Sequence, residues 1–572
     1  MRKNVAIGIQ DFDKLIKSGC FYIDKTDFIR EWWESGDEVT LIARPRRFGK
    51  TLNISMLERF FSIQCTEQDD IFQGLSIWER EAYRKLQGTY PVLFLSFAII
   101  KETSFPEARK GICRMIEEQY NKYDFLLEKG LLNEKERAFY QSVTADMSSS
   151  TAAVALRMLS DFLCRHYKKK VIILLDEYDT PMQEAYASGY WEEMTAFIRT
   201  MFNATFKTNP WLERAVMTGI TRVSKESIFS DLNNLKVITT TSEEYATSFG
   251  FTEQEVFAAL DGQGLGEEKE GVKRWYDGFT FGSCPDIYNP WSILNFLDTG
   301  QFGAYWANTS SNSLVSKLIQ EGGKDTKEKF GDLLQGKSLH EAIDEQIVYN
   351  QLNLDEGAIW SLLLASGYLK ALSKESYRGN YALDTPLSEL GLPEYELTFT
   401  NLEVTLMFRS MVKGWFAPAN RDYNDFVKAM LQGDIKSMNG YMNRVALQTF
   451  SYFDTGKHPS LSEPERFYHG FVLGLLVDLG GRYTLTSNRE SGFGRYDVML
   501  EPKDITRDDA ILLEFKVLDE TEEASLEDTV QAALKQIQEK QCAALLIAKG
   551  IPKERIRAYG FAFQGKNVLI GD

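Results

Sequence analysis

Up to about residue 245, the chain alternates short, continuous apolar runs with amphipathic stretches of helical periodicity. Continuous apolar runs are typical of strands covered on both faces, and their alternation with helices is typical of a parallel α/β sheet. One intervening stretch, SSSTAAVALRMLSDFLCRHYKKK, has a Ser/Thr cap, an apolar stripe and a lysine-rich end, which predicts a helix. The pattern predicts strands at 39–44, 91–97, 170–176 and 214–220.

The pattern changes twice in the rest of the chain. Residues 246–455 are rich in Trp and Tyr and are predicted to be mainly helical. We therefore expect a parallel α/β domain at 1–245, a helical lid or linker at 246–455 and a compact αβββαβ domain at 456–572. In the last domain, the pattern predicts a helix (464–479), three strands (482–487, 494–500, 510–517), a helix (524–540), a strand (543–549), a short helix and a final strand.

Composition narrows the class of protein. The net charge of −17 argues against a protein that coats nucleic acid, although local basic patches could still bind phosphates. The six cysteines are scattered without a C-x-x-C pair, so neither a disulfide framework nor a zinc cluster is expected. Any bound metal should be oxygen-ligated Mg²⁺ or Mn²⁺. Without an apolar run of membrane-spanning length or a signal-peptide pattern, we expect a cytoplasmic protein with no membrane partner.

The segment LIARPRRFGKTL ends like a phosphate-binding loop but has Arg44 where such loops usually have glycine. It follows a predicted strand and precedes an amphipathic helix, whose N-terminal amides and dipole attract phosphate oxygens. Lys50 would reach the β and γ phosphates, and Thr51 would offer its hydroxyl to Mg²⁺. The alternative is a solvated basic turn.

A second segment, VIILLDEYDTP, delivers Asp176 and Glu177 to the carboxyl end of a buried strand, where α/β sheets bind their ligands. Asp176 suits the Mg²⁺ shell, and Glu177 suits a base that orients the attacking water. An ordinary acidic turn would explain this segment alone. Because a basic loop ending in Gly-Lys-Thr is also present, we expect an ATP site.

A third segment, VMTGITRVSKESIFSDLNN, predicts a strand beside the one that ends at Asp176. Thr218 and Thr221 would lie near the γ-phosphate, and Arg222 or Lys225 could sense it. A simple transition from strand to loop explains these residues almost as well.

The C-terminal segments GRYDVML and ILLEFKV contain a second set of candidate residues. Glu514 and Lys516 share one face of a strand, Phe515 points to the other face, and Asp497 lies on the neighbouring strand. Asp497, Glu514 and the Phe515 carbonyl would hold Mg²⁺, while Lys516 would position or deprotonate water. The alternative is an ordinary charged strand face. The surrounding αβββαβ order matches a PD-(D/E)XK nuclease core and favours an active site.

Together, YIDKTDFI, RPRRFGKT, LLDEYDTP, TGITRVSKESIFSDLNNL and WYDGFTFG with IYNPWSIL resemble AAA-ATPase-like proteins that carry a C-terminal PD-(D/E)XK nuclease domain. These are bacterial and archaeal proteins, and the resemblance covers essentially the whole chain. Their loop commonly reads R-P-R-R-F-G-K-[ST], which implies that this loop is a P-loop variant. The nucleotide contacts are then expected from six consecutive residues: Arg46, Arg47, Phe48, Gly49, Lys50 and Thr51.

The resemblance implies a P-loop (AAA+/STAND-like) ATPase domain at 1–245 and a metal-dependent PD-(D/E)XK endonuclease domain at 456–572, with nucleic acid, favoured as DNA, as partner. ATP would gate the nuclease, in defence against foreign DNA or in mobile-element biology. Further nuclease-site candidates are Arg495, Glu465 and Gln536, which an ordinary surface position on a helix or strand explains equally well. His469 is expected to pack in the core. The alternative is an ATP-dependent switch or scaffold whose C-terminal domain binds nucleic acid or protein without cutting it. The composition leaves a homo-oligomer open.

Overall fold

The structure is a computed structural model. The structure describes residues 3–65, 69–128, 130–220, 228–229, 232–307, 315–316, 318–319, 324–343, 357–374, 394–415, 420–449, 472, 476, 479, 482–491, 494–518, 523–539, 543–564 and 567–572. The chain divides into two compact units, Met1–Leu318 with Ser338–Thr405, and Ile319–Lys337 with Leu406–Asp572. The division into domains at 245 and 455 stays a prediction.

The first unit contains a five-stranded parallel sheet. Its strands are β1 (Val39–Ala43), β2 (Val92–Ser96), β3 (Val171–Asp176), β4 (Leu212–Gly219) and β5 (Leu235–Ile238), and they lie in the order β2-β3-β4-β1-β5. Every residue of β1 and β3 is buried, as expected for apolar strands covered on both faces. The four strands predicted from the apolar runs are confirmed, including the pairing of β3 with β4.

Helices connect these strands. They are α1 (Phe12–Lys17), α2 (Asp27–Ser35), α3 (Lys50–Phe61), α4 (Glu81–Leu86), α5 (Phe105–Lys122), α6 (Phe125–Glu128), α7 (Glu134–Ser142), α8 (Ser149–Tyr167), α9 (Thr180–Ser188) and α10 (Trp191–Phe206), with 3₁₀ turns at Ile63–Cys65, Asp69–Phe72, Ser76–Glu79 and Phe97–Ile99. The expected cap of α8 is present, because Ser148 Oγ accepts a hydrogen bond from the Thr151 amide at 3.1 Å.

Residues 246–455 contain helices and two small antiparallel sheets. The helices are α11 (Glu253–Gln263), α12 (Lys269–Tyr276), α13 (Pro290–Thr299), α14 (Lys324–Leu334), α15 (Ala358–Ala365), α16 (Leu402–Trp415), α17 (Asn420–Gln432) and α18 (Ile435–Thr449), with a 3₁₀ turn at Gly266–Glu268. The strands are β6 (Phe251–Thr252), β7 (Phe279–Phe281), β8 (Cys284–Tyr288), β9 (Leu339–Ala342), β10 (Leu369–Lys374) and β11 (Glu394–Phe399), ordered β6-β8-β7 and β10-β11-β9. Many helices are thus confirmed, but the two sheets were not predicted.

The second unit contains a mixed five-stranded sheet. Its strands are β12 (Tyr483–Ser491), β13 (Gly494–Pro502), β14 (Ala510–Val517), β15 (Ile556–Gln564) and β16 (Asn567–Gly571), in sequential order. Neighbouring strands are antiparallel except β14 and β15, which are parallel. The connection between them contains α19 (Leu526–Glu539), α20 (Ala544–Ala548) and a 3₁₀ turn at Lys553–Arg555. The αβββαβ prediction is confirmed for its three first strands and the helix after them, while the predicted helix at 464–479 lies largely outside the described residues.

The prediction of a strand at 543–549 is wrong, because Ala544–Ala548 form the short helix α20. Only Leu546 is buried there, while Leu545 and Ile547 are 39% and 47% exposed. A strand buried on both faces would cover all three side chains. A short apolar run does not distinguish strand from helix by periodicity, and the alanines favour the helix. The next strand after this helix is β15, which begins at Ile556.

Among the described residues, no helix combines the length and the apolar character that crossing a membrane requires.

Candidate nucleotide and nuclease sites

A cavity of about 490 Å³ opens at the carboxyl end of the parallel sheet. Its volume lies within the range of roughly 300–1,000 Å³ that is usual for small-ligand sites. Residues 46–53, which contain the end of the basic loop and the start of α3, form part of its wall. Glu177, Asp179 and Trp291 line it as well. The cavity is thus placed where α/β sheets bind their ligands.

Asp176 organises the floor of this site. Its side chain is fully buried and accepts hydrogen bonds from Thr218 Oγ1 at 2.6 Å, Thr51 Oγ1 at 2.8 Å and Ser96 Oγ at 3.5 Å. Burial raises the pKa of its carboxyl, while the Thr218 and Thr51 hydroxyls act in the opposite direction. The carboxyl ends of β2, β3 and β4 and the start of α3 therefore meet at one carboxylate.

Lys50 follows the loop as the first residue of α3, and its side chain folds back into the loop. Its side chain is 6% exposed, and Nζ donates to the carbonyl oxygens of Arg44 at 2.9 Å and Pro45 at 2.8 Å. Burial lowers the pKa of this ammonium, and the nearby Glu177, Asp179 and Asp176 carboxylates oppose that change. The ammonium is therefore held at the mouth of the loop by backbone oxygens.

Glu177 has a positive φ of 51°, which is rare for a residue with a side chain. Its amide donates to Thr218 Oγ1 at 3.3 Å, and its Oε2 accepts from Thr180 Oγ1 at 3.2 Å. Residues in this backbone region cost roughly 1–3 kcal/mol and occur frequently at functional sites. The strained backbone and the Thr180 hydroxyl hold a carboxylate at the wall of the cavity.

Arg44, the residue that replaces the usual glycine, is a structural residue. Its guanidinium is fully buried, donates to the carbonyls of Thr239 and Glu244, and lies 4.5 Å from the centre of the Phe281 ring. Burial lowers its pKa to about 9, so the group remains charged at neutral pH. The side chain fastens the start of the loop to residues after β5, which leaves Arg46 and Arg47 as the arginines that line the cavity.

Arg46 and Arg47 are both exposed, and each has a defined partner. The Arg46 Nη2 donates to Gln183 Oε1 at 3.1 Å. The Arg47 guanidinium lies 4.3 Å from the centre of the Trp291 ring, a cation–π contact. Phe48 directs its ring away from solvent, against Phe279 and Phe281, and Gly49 supplies the positive φ of 81° from which α3 begins.

The second set of residues lies on β13 and β14. The antiparallel register pairs Val498 with Leu513, so Asp497 stands opposite Glu514 one residue further along. Asp497 Oδ2 accepts a hydrogen bond from the Phe515 amide at 2.8 Å. Glu514 is only 2% exposed. The register therefore places a buried Glu514 opposite a partly exposed Asp497 on neighbouring strands, and two carboxylates so placed can offer oxygen ligands to a hard cation.

Phe515 and Lys516 complete this strand. The Phe515 ring is fully buried and packs against Phe561 and Phe563, at centroid distances of 4.9 and 6.2 Å. Lys516 is partly exposed and, two residues after Glu514, shares its face of the strand. The predicted alternation of a charged face and an anchoring face is confirmed.

Two family models match the chain at these positions. Residues 6–229 match a family described as a predicted AAA-ATPase, and residues 463–572 match the PD-(D/E)XK nuclease superfamily. The chain therefore contains an AAA-ATPase-like domain and a C-terminal domain of the PD-(D/E)XK nuclease superfamily. A curated protein of Azotobacter chroococcum mcd 1, named "Uncharacterized protein in vnfD 5'region", is 24% identical over 407 residues, which cover 70% of this chain and 68% of that protein.

Several predicted site residues of the two domains lie outside the described residues. They are Thr221, Arg222 and Lys225 of the first site, and Glu465 and His469 of the second. The side chain of Arg495 is also not described, although its backbone pairs with Glu490 in the β12–β13 ladder. Gln536 lies on α19 and is partly exposed. The functions of these residues stay predictions.

The sequence did not reveal the residues that support the P-loop from the middle region. The Arg46 carbonyl accepts hydrogen bonds from Trp306 Nε1 at 3.0 Å and Asn289 Nδ2 at 3.3 Å. Glu403, 1% exposed, in turn accepts from the Trp306 amide and from Ser292 Oγ. For Asn289, the sequence signal was the Asn-Pro pair of YNPW, which is typical of a helix start. Asn289 caps α13, and Pro290 is the first residue of that helix.

The aromatic stretch 275–291 mainly packs, as expected. Tyr276, Phe279, Phe281 and Tyr288 are all at most 3% exposed. Trp291 is the exception, because it lines the cavity and contacts Arg47.

Proposed function

We propose that this protein binds and hydrolyses ATP with Mg²⁺ in the cavity beside Lys50, and cleaves DNA at Asp497, Glu514 and Lys516 under control of the bound nucleotide. The observation that carries the first part is the convergence of Thr51, Thr218 and Ser96 on Asp176. The AAA-ATPase-like and nuclease superfamily matches support both activities.

The residues at the first site fit a nucleotide with Mg²⁺. Thr51 Oγ1 and Asp176 Oδ2 are hard oxygen donors 2.8 Å apart, and they would hold the ion directly or through water. The ion would neutralise charge that develops on the phosphates. Lys50 and the amides at the start of α3 would bind the β and γ phosphates. Glu177 would orient the attacking water and accept a proton from it.

The second site fits an oxygen-ligated cation. Asp497, Glu514 and the Phe515 carbonyl would hold Mg²⁺ or Mn²⁺, since these are hard oxygen ligands and the buried Glu514 carboxylate needs a compensating charge. The ion would polarise the scissile phosphate and lower the pKa of water. Lys516, on the same strand face as Glu514, would position the water and stabilise negative charge on the phosphate.

Nucleotide control follows from combining the two activities in one chain. A nuclease that cut without restraint would damage the cell that makes it, and a net charge of −17 gives the chain little general attraction for DNA. An ATPase supplies two states that bound nucleotide can bias, through rearrangement or assembly of the protein. The family resemblance supports a role in defence against foreign DNA or in mobile-element biology.

The test is incubation of the full chain with single- and double-stranded DNA and with RNA, in Mg²⁺ or Mn²⁺, with and without ATP. We expect cleavage of DNA that depends on the cation and changes with ATP. Glu514→Ala is the control for contaminating nuclease, and Lys50→Ala is the control for the nucleotide. Binding of nucleic acid without cleavage under all conditions would contradict the nuclease and favour an ATP-dependent switch or scaffold.

A further inference from the structure

A chain of hydrogen bonds crosses the wall of the nucleotide cavity. Arg46 Nη2 donates to Gln183 Oε1 at 3.1 Å, and Gln183 Nε2 donates to Asp179 Oδ2 at 3.0 Å. The same Asp179 oxygen accepts the backbone N–H of Ile220 at 3.0 Å. Arg46, Gln183, Asp179 and Ile220 all line the cavity. The chain therefore joins the P-loop, helix α9 and the end of β4 around one ligand volume.

The chemistry of its two ends sets the direction of this chain. A guanidinium can only donate, and a carboxylate can only accept. The Gln183 amide must therefore turn its oxygen to Arg46 and its nitrogen to Asp179, which is the orientation observed. The neutral Gln183 amide therefore lies between the two charged groups and connects the Arg46 guanidinium to the Asp179 carboxylate.

The anchoring residue is rigidly held, whereas the arginine is accessible. Asp179 is 1% exposed, immediately before α9, and packs so closely that a Cβ added at Gly219 would lie 2.8 Å from its Oδ1. Gln183 is partly exposed and Arg46 is exposed. A guanidinium has five N–H donors, so a bond from one of them to Gln183 still permits a two-bond contact with a phosphate.

We propose that Arg46 contacts the terminal phosphate of ATP, and that Gln183 and Asp179 are positioning residues that hold it there and connect it to the backbone at Ile220. This proposal rests on the proposed ATP site. ADP lacks the phosphate that Arg46 would reach, so the connected residues make the site prefer ATP over ADP.

The test uses the full chain with Mg²⁺ and compares affinities for ATPγS and ADP by competition with a fluorescent nucleotide. Gln183→Met keeps the side-chain length but removes both hydrogen bonds. It should weaken ATPγS binding roughly tenfold, the loss typical of one charge-assisted hydrogen bond, and leave ADP binding within about twofold. Arg46→Gln, on an exposed side chain, should give the same selective loss. Ser188→Ala, an exposed change on the same helix, is the matched control.

The double variant separates a connected pair from two independent contacts. If Gln183 acts through Arg46, Arg46→Gln with Gln183→Met should lose no more ATPγS affinity than either single variant. Equal weakening of ATPγS and ADP, an unchanged ATPγS-to-ADP ratio, or additive losses would each overturn the positioning role while leaving the ATP site intact. Failure of the unmodified chain to bind either nucleotide would overturn the proposed ATP site and this inference with it.

Discussion

The Thr51 hydroxyl donates a hydrogen bond to Asp176 Oδ2 at 2.8 Å, across 125 residues of sequence. Thr51 lies in the first turn of α3, the helix that follows β1, whereas Asp176 ends β3, and β4 lies between those two strands. Only the parallel order β3-β4-β1 brings their carboxyl ends to one edge of the sheet. The two halves of the predicted ATP site are therefore joined by the topology of the sheet.

Lys50→Ala should abolish ATP binding. The substitution removes the buried ammonium that the Arg44 and Pro45 carbonyls hold at the mouth of the loop. Glu177→Gln should instead keep binding and stop hydrolysis, because the amide cannot accept a proton from water. Titration with a fluorescent ATP analogue and a phosphate-release assay measure both effects. Unaltered affinity in Lys50→Ala would refute the site.

Asp497→Ala and Glu514→Ala should each eliminate nucleic-acid cleavage and leave ATP hydrolysis roughly unchanged. Their side chains belong to β13 and β14, whereas the proposed ATP-site residues belong to the parallel sheet and its loops. Cleavage of labelled DNA and phosphate release are measured on the same preparations. Both variants cutting at the rate of the unmodified chain would show that these carboxylates are not the metal ligands.

The parts of the sites that could be predicted lie within single segments of strong local pattern. Asp176 ends a fully apolar strand, and Glu514 and Lys516 alternate with Phe515 on another. The burial of Arg44 could not be predicted, because its acceptors at Thr239 and Glu244 lie 195 and 200 residues away. A basic side chain in a loop is ordinarily exposed to solvent, and only the tertiary fold shows that Arg44 is buried.

Restoring the usual glycine with Arg44→Gly should damage the protein. The buried guanidinium donates to three backbone carbonyls and packs on Phe281, so its loss removes these hydrogen bonds and leaves a cavity. We expect a loss of about 3 kcal/mol in the free energy of unfolding. Urea denaturation measures it, with Arg46→Ala, on an exposed side chain, as the control. A change below that of the control would show that Arg44 does not anchor the loop.

Glu403 should make stability depend on pH. Burial raises the pKa of its carboxyl to about 7 in the folded protein, against the ordinary 4.5. The folded state therefore binds the Glu403 proton more tightly than the unfolded state does. The stabilisation that the protonated carboxyl provides is fully present below pH 4.5 and is lost as the pH rises through about 7. The loss should be roughly 3 kcal/mol.

Glu403→Gln isolates this effect. The amide oxygen can accept the Trp306 and Ala307 amides, and the amide nitrogen can donate to Ser292, without a titrating proton. The variant should be more stable than the unmodified chain at pH 8 and no more stable at pH 5. Free energies of unfolding in urea at both pH values measure this, and equal pH slopes for the two proteins would refute it.

Nucleotide state should alter the nuclease, and the backbone around the P-loop indicates where the change begins. The Arg46 carbonyl is bonded to Asn289 and Trp306, which lie beyond the parallel sheet in the middle region. Binding of a phosphate at the loop would therefore act on α13 and on the segment held by Glu403. Buried aromatic residues of 275–291 pack in the same region. A displacement of the loop would therefore move this region as one packed element.

The two ATP-site variants measure this coupling. Glu177→Gln with saturating ATP and Mg²⁺ should hold the nucleotide-bound state, whereas Lys50→Ala should never reach it. We expect different DNA-cutting rates or different particle masses for the two variants, because only the first can bias the protein toward its ATP-bound form. Cutting rates are measured on one labelled substrate, and masses by light scattering. If rates and masses are the same for both variants while Glu177→Gln demonstrably retains ATP, the two sites work independently and nucleotide control is excluded.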